Sequence, residues 1–214
     1  MGKYTVDNTI LIVDDSPYIV DGLVALLKRK GFKTMAANGG DQALSLLTTA
    51  TPDLILLDIM MEPVDGWETL DRIKQNPATK DIPVLMFSAK KISPGEAEEH
   101  SLKIEDFISK PVNPVQLLES IQQIFTRRSN VKIEASVAKE AGFENGLIDE
   151  YTSLRKSIEV DRNMLVVLKN SSGMNAPGIE AVPETVASIQ KLEEKICTDE
   201  QRLKEINEKF HKKD

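Results

Sequence analysis

Five short aliphatic runs punctuate the first 128 residues: TILIV (9–13), KTMAA (33–37), DLILL (53–57), PVLMF (83–87) and EDFIS (105–109). Three of them are apolar nearly throughout rather than alternating. That pattern suits central parallel strands covered on both faces. The amphipathic stretches between them predict helices over 17–30, 40–50, 66–76, 95–102 and 113–127. Ser16 before Pro17 is a candidate N-cap with proline at the first helical position, and Asn113 before Pro114 repeats the signal. Gly31, after Lys28, Arg29 and Lys30, reads as a helix stop. Five β-α units in succession predict a doubly wound α/β domain over residues 1–128.

After Arg127-Arg128 the strand signal disappears. Leu147, Tyr151, Leu154, Ile158, Leu165 and Leu168 recur at spacings of three, four and seven. Val186, Ile189, Leu192, Ile196, Leu203, Ile206 and Phe210 do so again. The stretch SSGMNAPGIEAVP (171–183) between them reads as a loop by its Gly, Pro and Ser content. The prediction is a helical connector over 129–146, with a helix at 130–141 and a break between Gly142 and Gly146. Two long helices over 147–214 follow as a hairpin or coiled coil. Each carries one narrow apolar seam of roughly heptad spacing, so each wants a partner helix from the same chain or from a second copy. Asp161 and Asp199 interrupt the seams, either as frayed positions or as polar residues that set register or oligomeric state.

Composition narrows the setting. The chain has 214 residues, is 41% hydrophobic and 29% charged, and carries a formal charge of −7. An acidic balance argues against nonspecific nucleic-acid or anionic-membrane binding. From residue 129 onward there are 13 Lys and Arg against 16 Asp and Glu, a net of −3, which is a poor footprint for DNA. One cysteine, Cys197, excludes an internal disulfide framework and suits a reducing cytoplasm. The start, MGKYTVDNT, has no apolar signal core, and no stretch is fit to span a bilayer. The expected setting is cytoplasmic, with neither membrane nor nucleic acid as partner. His100 and His211 are read as solvated, because nothing pairs them into a metal site.

In a parallel α/β sheet, ligands bind at the carboxyl ends of the strands near a topological switch point. Asp14 and Asp15 follow the first run, Asp58 the third, Ser88 the fourth and Lys110-Pro111 the fifth. Only the second run sends nothing there, which fits a flavodoxin-like strand order of 2-1-3-4-5. Clustered carboxylates repel unless a cation offsets them, and oxygen-only ligands favour a hard ion such as Mg²⁺. Lys110 can meet a phosphoryl oxygen, Ser88 adds a hydroxyl, and Asp58 can act as a carboxylate nucleophile.

These positions resemble the receiver domain of two-component response regulators: DD after the first strand, D at the end of the third, SA after the fourth and KP after the fifth. The resemblance covers about residues 8–128. It implies that Asp58 is the phosphoacceptor, receiving its phosphoryl group from a sensor histidine kinase or phosphotransfer protein. It implies Mg²⁺ held by Asp15, with Asp14 close by, together with Asp58 and the backbone carbonyl of Met60. Ser88 and Lys110 would hold the phosphoryl group, Ser88 and Phe107 would form the switch, and Lys110-Pro111 would be cis. Beyond self-phosphotransfer and autodephosphorylation no enzyme activity is implied.

Some positions depart from that family. Glu62 stands where a proline is usual, with Pro63 one later, so the acceptor loop is expected to bend differently. Lys103 replaces a glycine before the fifth strand, and Phe107 lacks the common tyrosine hydroxyl. Met60 and Lys90 sit where phosphoryl lifetime is tuned. The second half resembles the helical extensions that follow receivers in some archaeal regulators. It shows no helix-turn-helix candidate, so signalling through protein–protein contacts, including a homodimer through receiver or C-terminal helices, is expected. A different reading is a metal-dependent phosphohydrolase with an external substrate. Against it, Met60 stands where one common family of such enzymes has a second acid. A helical scaffold whose receiver only dimerises is the third.

Overall fold

The structure is a computed structural model that describes residues 7–89, 93–100, 103–171 and 183–211. Lys90, the end of the helix expected at 95–102, and most of the 171–183 loop lie outside the described residues. The chain divides into two compact units, residues 1–91 with 103–122, and residues 92–102 with 123–214.

The first unit is built on five parallel strands: β1 (Thr9–Val13), β2 (Lys33–Ala37), β3 (Leu54–Asp58), β4 (Val84–Ser88) and β5 (Asp106–Ser109). Their order is β2-β1-β3-β4-β5, as the distribution of strand-end residues predicts. The continuous aliphatic runs occupy the three middle strands. Ile10 to Val13, Leu54 to Leu57 and Val84 to Phe87 are all buried. Each such side chain contributes about 1.5–3 kcal/mol through lost water contact, so these runs anchor the sheet whose edge carries the site.

Three of the helices in this unit are α1 (Pro17–Arg29), α2 (Gly40–Leu46) and α3 (Gly66–Gln75). Ser16 is the N-cap of α1 with Pro17 behind it, although its side chain makes no capping hydrogen bond. At the other end, Gly31 N–H donates to the Lys28 carbonyl and Phe32 N–H to that of Leu27. This is the hydrogen-bond pair of a Schellman stop, and Gly31 supplies its positive φ of 94°. Asp65 caps α3 by accepting from the Glu68 N–H at 2.8 Å.

The second unit is helical. It contains α4 (Pro94–His100), the later part of α5 (Pro114–Glu140), α6 (Asn145–Ser171) and α7 (Pro183–His211). Asn113 caps α5 through the N–H groups of Val115 and Gln116. The separate helices expected at 113–127 and 130–141 are one helix. The RRSNV stretch between them holds neither glycine nor proline, so nothing breaks the hydrogen-bond ladder. The expected break does fall at Gly142, where φ is 75°. The seams of α6 and α7 meet within the chain as an antiparallel pair. It is crossed by Arg162–Glu200, Lys169–Glu193 and Arg202–Glu150 ion pairs. Tyr151, Phe143 and Phe210 stack at one end, and the Tyr151 hydroxyl donates to Glu134 at 2.7 Å.

α4 packs against α7. His100, expected in solvent, is buried. A short charged helix announces no buried face by itself; the packing of α4 within the helical unit creates one.

Candidate functional site

Strand register builds the site. Val13 pairs with Leu57, Asp58 with Phe87, and Ser88 with Ser109. Four strands therefore end almost flush, and the residues at their carboxyl ends meet at one edge. Asp58 and Ser88 are the last residues of β3 and β4 rather than the first beyond them. The ladder continues one rung further than the aliphatic runs, because Ile59 N–H donates to the Phe87 carbonyl and Lys110 N–H to that of Ser88.

Lys110 joins two acids. Its Nζ lies 2.8 Å from Asp14 Oδ2 and 2.9 Å from Asp58 Oδ2. Asp14 is wholly buried and its other oxygen accepts from the Ser16 N–H at 2.8 Å. Asp58 is 2% exposed, and its Oδ1 has no hydrogen-bond partner among the described residues. Asp15 faces solvent. Asp14, Asp15 and Asp58 nonetheless each present a carboxylate oxygen within 4.8 Å of the others. Ser88 is buried at the end of β4 and Phe107 is buried in β5, while the Met60 side chain is 54% exposed.

The Lys110-Pro111 bond is cis. The acceptor loop holds a second cis bond, Glu62-Pro63, at the place where the sequence departs from the receiver pattern. Sequence reasoning missed Phe87, whose ring lies 4.9 Å beneath the Lys110 ammonium. A cation over an aromatic face is attracted by the ring quadrupole. The only signal in sequence was its place beside Ser88 in a run read as core.

The electrostatics follow from burial. Desolvation pushes the Asp58 carboxyl up. The Lys110 hydrogen bond and charge pull it back, the Asp14 charge raises it again, and the Met60 N–H lowers it; the balance stays above the ordinary value of 3.8. For Lys110, burial works downward, but hydrogen bonds to Asp14 and Asp58 and their two charges outweigh it. Its ammonium is held above the ordinary 10.5.

Since folded Asp58 holds its proton more tightly than the unfolded chain does, this group's contribution to stability falls as pH rises. The fall runs from the ordinary carboxylate range through the raised folded value. Asp58→Asn removes it. In metal-free buffer at neutral pH the variant should melt above the wild type, and the gap should close as pH drops below the ordinary carboxylate range. Thermal melts across pH check this; a variant that melts at or below the wild type at neutral pH contradicts it.

The fold and site define a class: a flavodoxin-like α/β protein with an acidic cluster and a lysine at the carboxyl edge of its sheet. Comparison with known proteins narrows it. Residues 10–122 match the family model of the response regulator receiver domain, and residues 127–214 match a model described as Metanogen output domain 2. The phosphate regulon transcriptional regulatory protein PhoB of Pseudomonas aeruginosa is 32% identical over 154 residues. That match covers 72% of this chain and 65% of that relative's length. Among solved structures, the chemotaxis protein CheY4 of Vibrio cholerae superposes with a TM-score of 0.52 at 28% identity, covering 55% of this chain and 98% of that one. A CheY-like receiver domain protein of Methanospirillum hungatei gives 0.54 at 25% identity, covering 57% and 97%. The chain belongs to the response regulator family: its first unit holds a receiver domain of two-component signalling, followed by a helical output domain.

Proposed function

We propose that Asp58 accepts a phosphoryl group from a sensor histidine kinase or phosphotransfer protein, and that the helical half converts this into altered protein contacts. The observation that carries the reading is the Asp14–Lys110–Asp58 bridge with Asp58 Oδ1 left bare. One oxygen is held by the lysine and the other is available to react.

In the transfer, an Asp58 oxygen attacks phosphorus. A P–O bond forms, the P–N bond to the donor imidazole breaks, and the electron pair leaves with that nitrogen. Lys110 offsets charge on the transferring group, and the Ser88 hydroxyl donates to one of its oxygens. Water later attacks phosphorus, releasing phosphate and restoring the carboxylate.

The donor set fits Mg²⁺: three clustered carboxylates with, among the described residues, no histidine or cysteine in the group and one carboxylate oxygen without a partner. Asp14, Asp15, Asp58 and the Met60 carbonyl would hold the ion. When bound, it supplies positive charge beside the phosphoryl oxygens. No helix among the described residues is long and apolar enough to cross a membrane, and the acidic second half disfavours DNA. The acidic balance supports an output through a partner protein or a second copy.

α4 is the next helix after β4 in the chain, and it packs on α7. A phosphoryl group on Asp58, held by Ser88, biases a two-state equilibrium that α4 and α7 read out. Beryllofluoride with Mg²⁺, a phosphoryl mimic, should alter hydrogen exchange in α4 and α7 of the wild type and leave Asp58→Ala unchanged. Identical exchange in the wild type with and without the mimic would sink the proposed coupling.

A further inference from the structure

The helical unit contains a second buried charge cluster, remote in sequence from the receiver site. Asp161 of α6 is wholly buried between Val160 and Met164 on its own helix, which are buried as well. Lys195 of α7 pairs with Asp161 Oδ2. Lys195 Nζ also donates to Ser157 Oγ at 2.9 Å and lies 3.9 Å from Asp199 Oδ2. Ser157 Oγ is 3.1 Å from Asp161 Oδ2 and 3.4 Å from Asp199 Oδ2. Two carboxylates thus share one ammonium and one hydroxyl, and every contact on Asp161 falls on Oδ2. Its Oδ1 has no hydrogen-bond partner among the described residues.

Such a cluster is a poor source of stability, since desolvating the charges offsets much of their attraction. Its use becomes visible when α7 is slid one heptad along α6. The apolar seam tolerates the slide: Ile189 takes the place of Ile196, Ile196 that of Leu203, and Leu203 that of Phe210. Two surface ion pairs also survive, with Glu193 replacing Glu200 opposite Arg162 and Lys195 replacing Arg202 opposite Glu150. The buried charges do not survive it. Asp161 would face Ser188 with no cation, and Asp199 would enter the wholly buried place of Ile206. An uncompensated buried charge is strongly unfavourable.

We propose that Ser157, Asp161, Lys195 and Asp199 form a register lock, excluding a slipped α6–α7 pairing that the seam and surface pairs would otherwise accept. A buried polar position that fixes helix register at a cost in stability has this role in coiled coils.

Cysteine trapping in the full chain tests it. In a Cys197→Ser background, Arg162→Cys with Glu200→Cys reports the observed register, and Arg162→Cys with Glu193→Cys the slipped one. Both pairs replace surface ions, which contribute little. With the lock intact, the first pair should form an intrachain disulfide at least about tenfold faster than the second. Replacing the cluster (Ser157→Ala, Asp161→Leu, Lys195→Leu, Asp199→Leu) should keep the helices paired, because apolar substitutes are commonly neutral or stabilising, and should bring the two rates together. Comparable rates in the locked chain would overturn the proposal. So would a replaced cluster that still traps only the 162–200 pair, or one that leaves the helical unit unfolded by circular dichroism, since the charges would then serve folding itself.

Discussion

Gly66→Ala should destabilise the protein by about 3 kcal/mol and remove most of its capacity to accept a phosphoryl group. Gly66 opens α3 at the end of the loop that leaves Asp58, and its N–H donates to the Ile59 carbonyl at 2.9 Å. A Cβ there would stand 2.0 Å from the Asp58 carbonyl oxygen and 2.6 Å from the Ile59 Cα. Both obstacles are backbone, so no side-chain rotation relieves the overlap. Either α3 retreats or the end of β3 does, and the second carries Asp58 with it. A displacement near 1 Å at a reacting group costs on the order of 100-fold in rate. Chemical denaturation and labelling by a small acyl phosphate check the two halves. Wild-type values in both would show that the loop yields elsewhere.

Lys110→Met has an effect of similar size by a different cause. The ammonium is the shared partner of Asp14 and Asp58, one wholly buried and the other 2% exposed. Met fills the volume but leaves two buried carboxylates facing each other. Breaking a buried pair this way costs about 3–5 kcal/mol, and a site at a sheet edge should show the lower end. Mg²⁺ should restore part of the loss in thermal melts, because an ion that binds only the folded chain stabilises it by mass action. Phosphoryl acceptance should stay at least about 100-fold down, since the charge aimed at the transferring group is gone. A variant that melts with the wild type in metal-free buffer and labels at its rate contradicts the role given to Lys110.

These two positions also show how far the sequence could be read. The strand-end residues Asp14, Asp58, Ser88 and Lys110 were legible because parallel strands must end at a common edge, so the last residue of each aliphatic run falls in one place. The strand order followed from the one run, KTMAA, that sends no chemistry there. Gly66 of DGWE stands where the receiver resemblance expects a glycine, but the overlap that a Cβ would meet there was not legible. It depends on how closely α3 returns to β3, a three-dimensional distance that no spacing rule gives. The cis bond at Glu62-Pro63 was equally hidden, although Glu62 marked the loop as unusual. In the second half, the seams and the anomaly of Asp161 and Asp199 were visible. Their joining through Lys195 was not, because Lys195 reads as an ordinary polar position on α7. The packing of α4 with the output helices, and the burial of His100 that accompanies it, had no counterpart in a seven-residue charged stretch.

One measurement tests most directly whether Asp58 is the acceptor. Incubated with a small radiolabelled acyl phosphate and Mg²⁺, the wild type should take up a single phosphoryl group. That group should be labile to hydroxylamine, as an acyl phosphate is, and Asp58→Ala should take up none. Equal labelling of the two proteins would contradict the account.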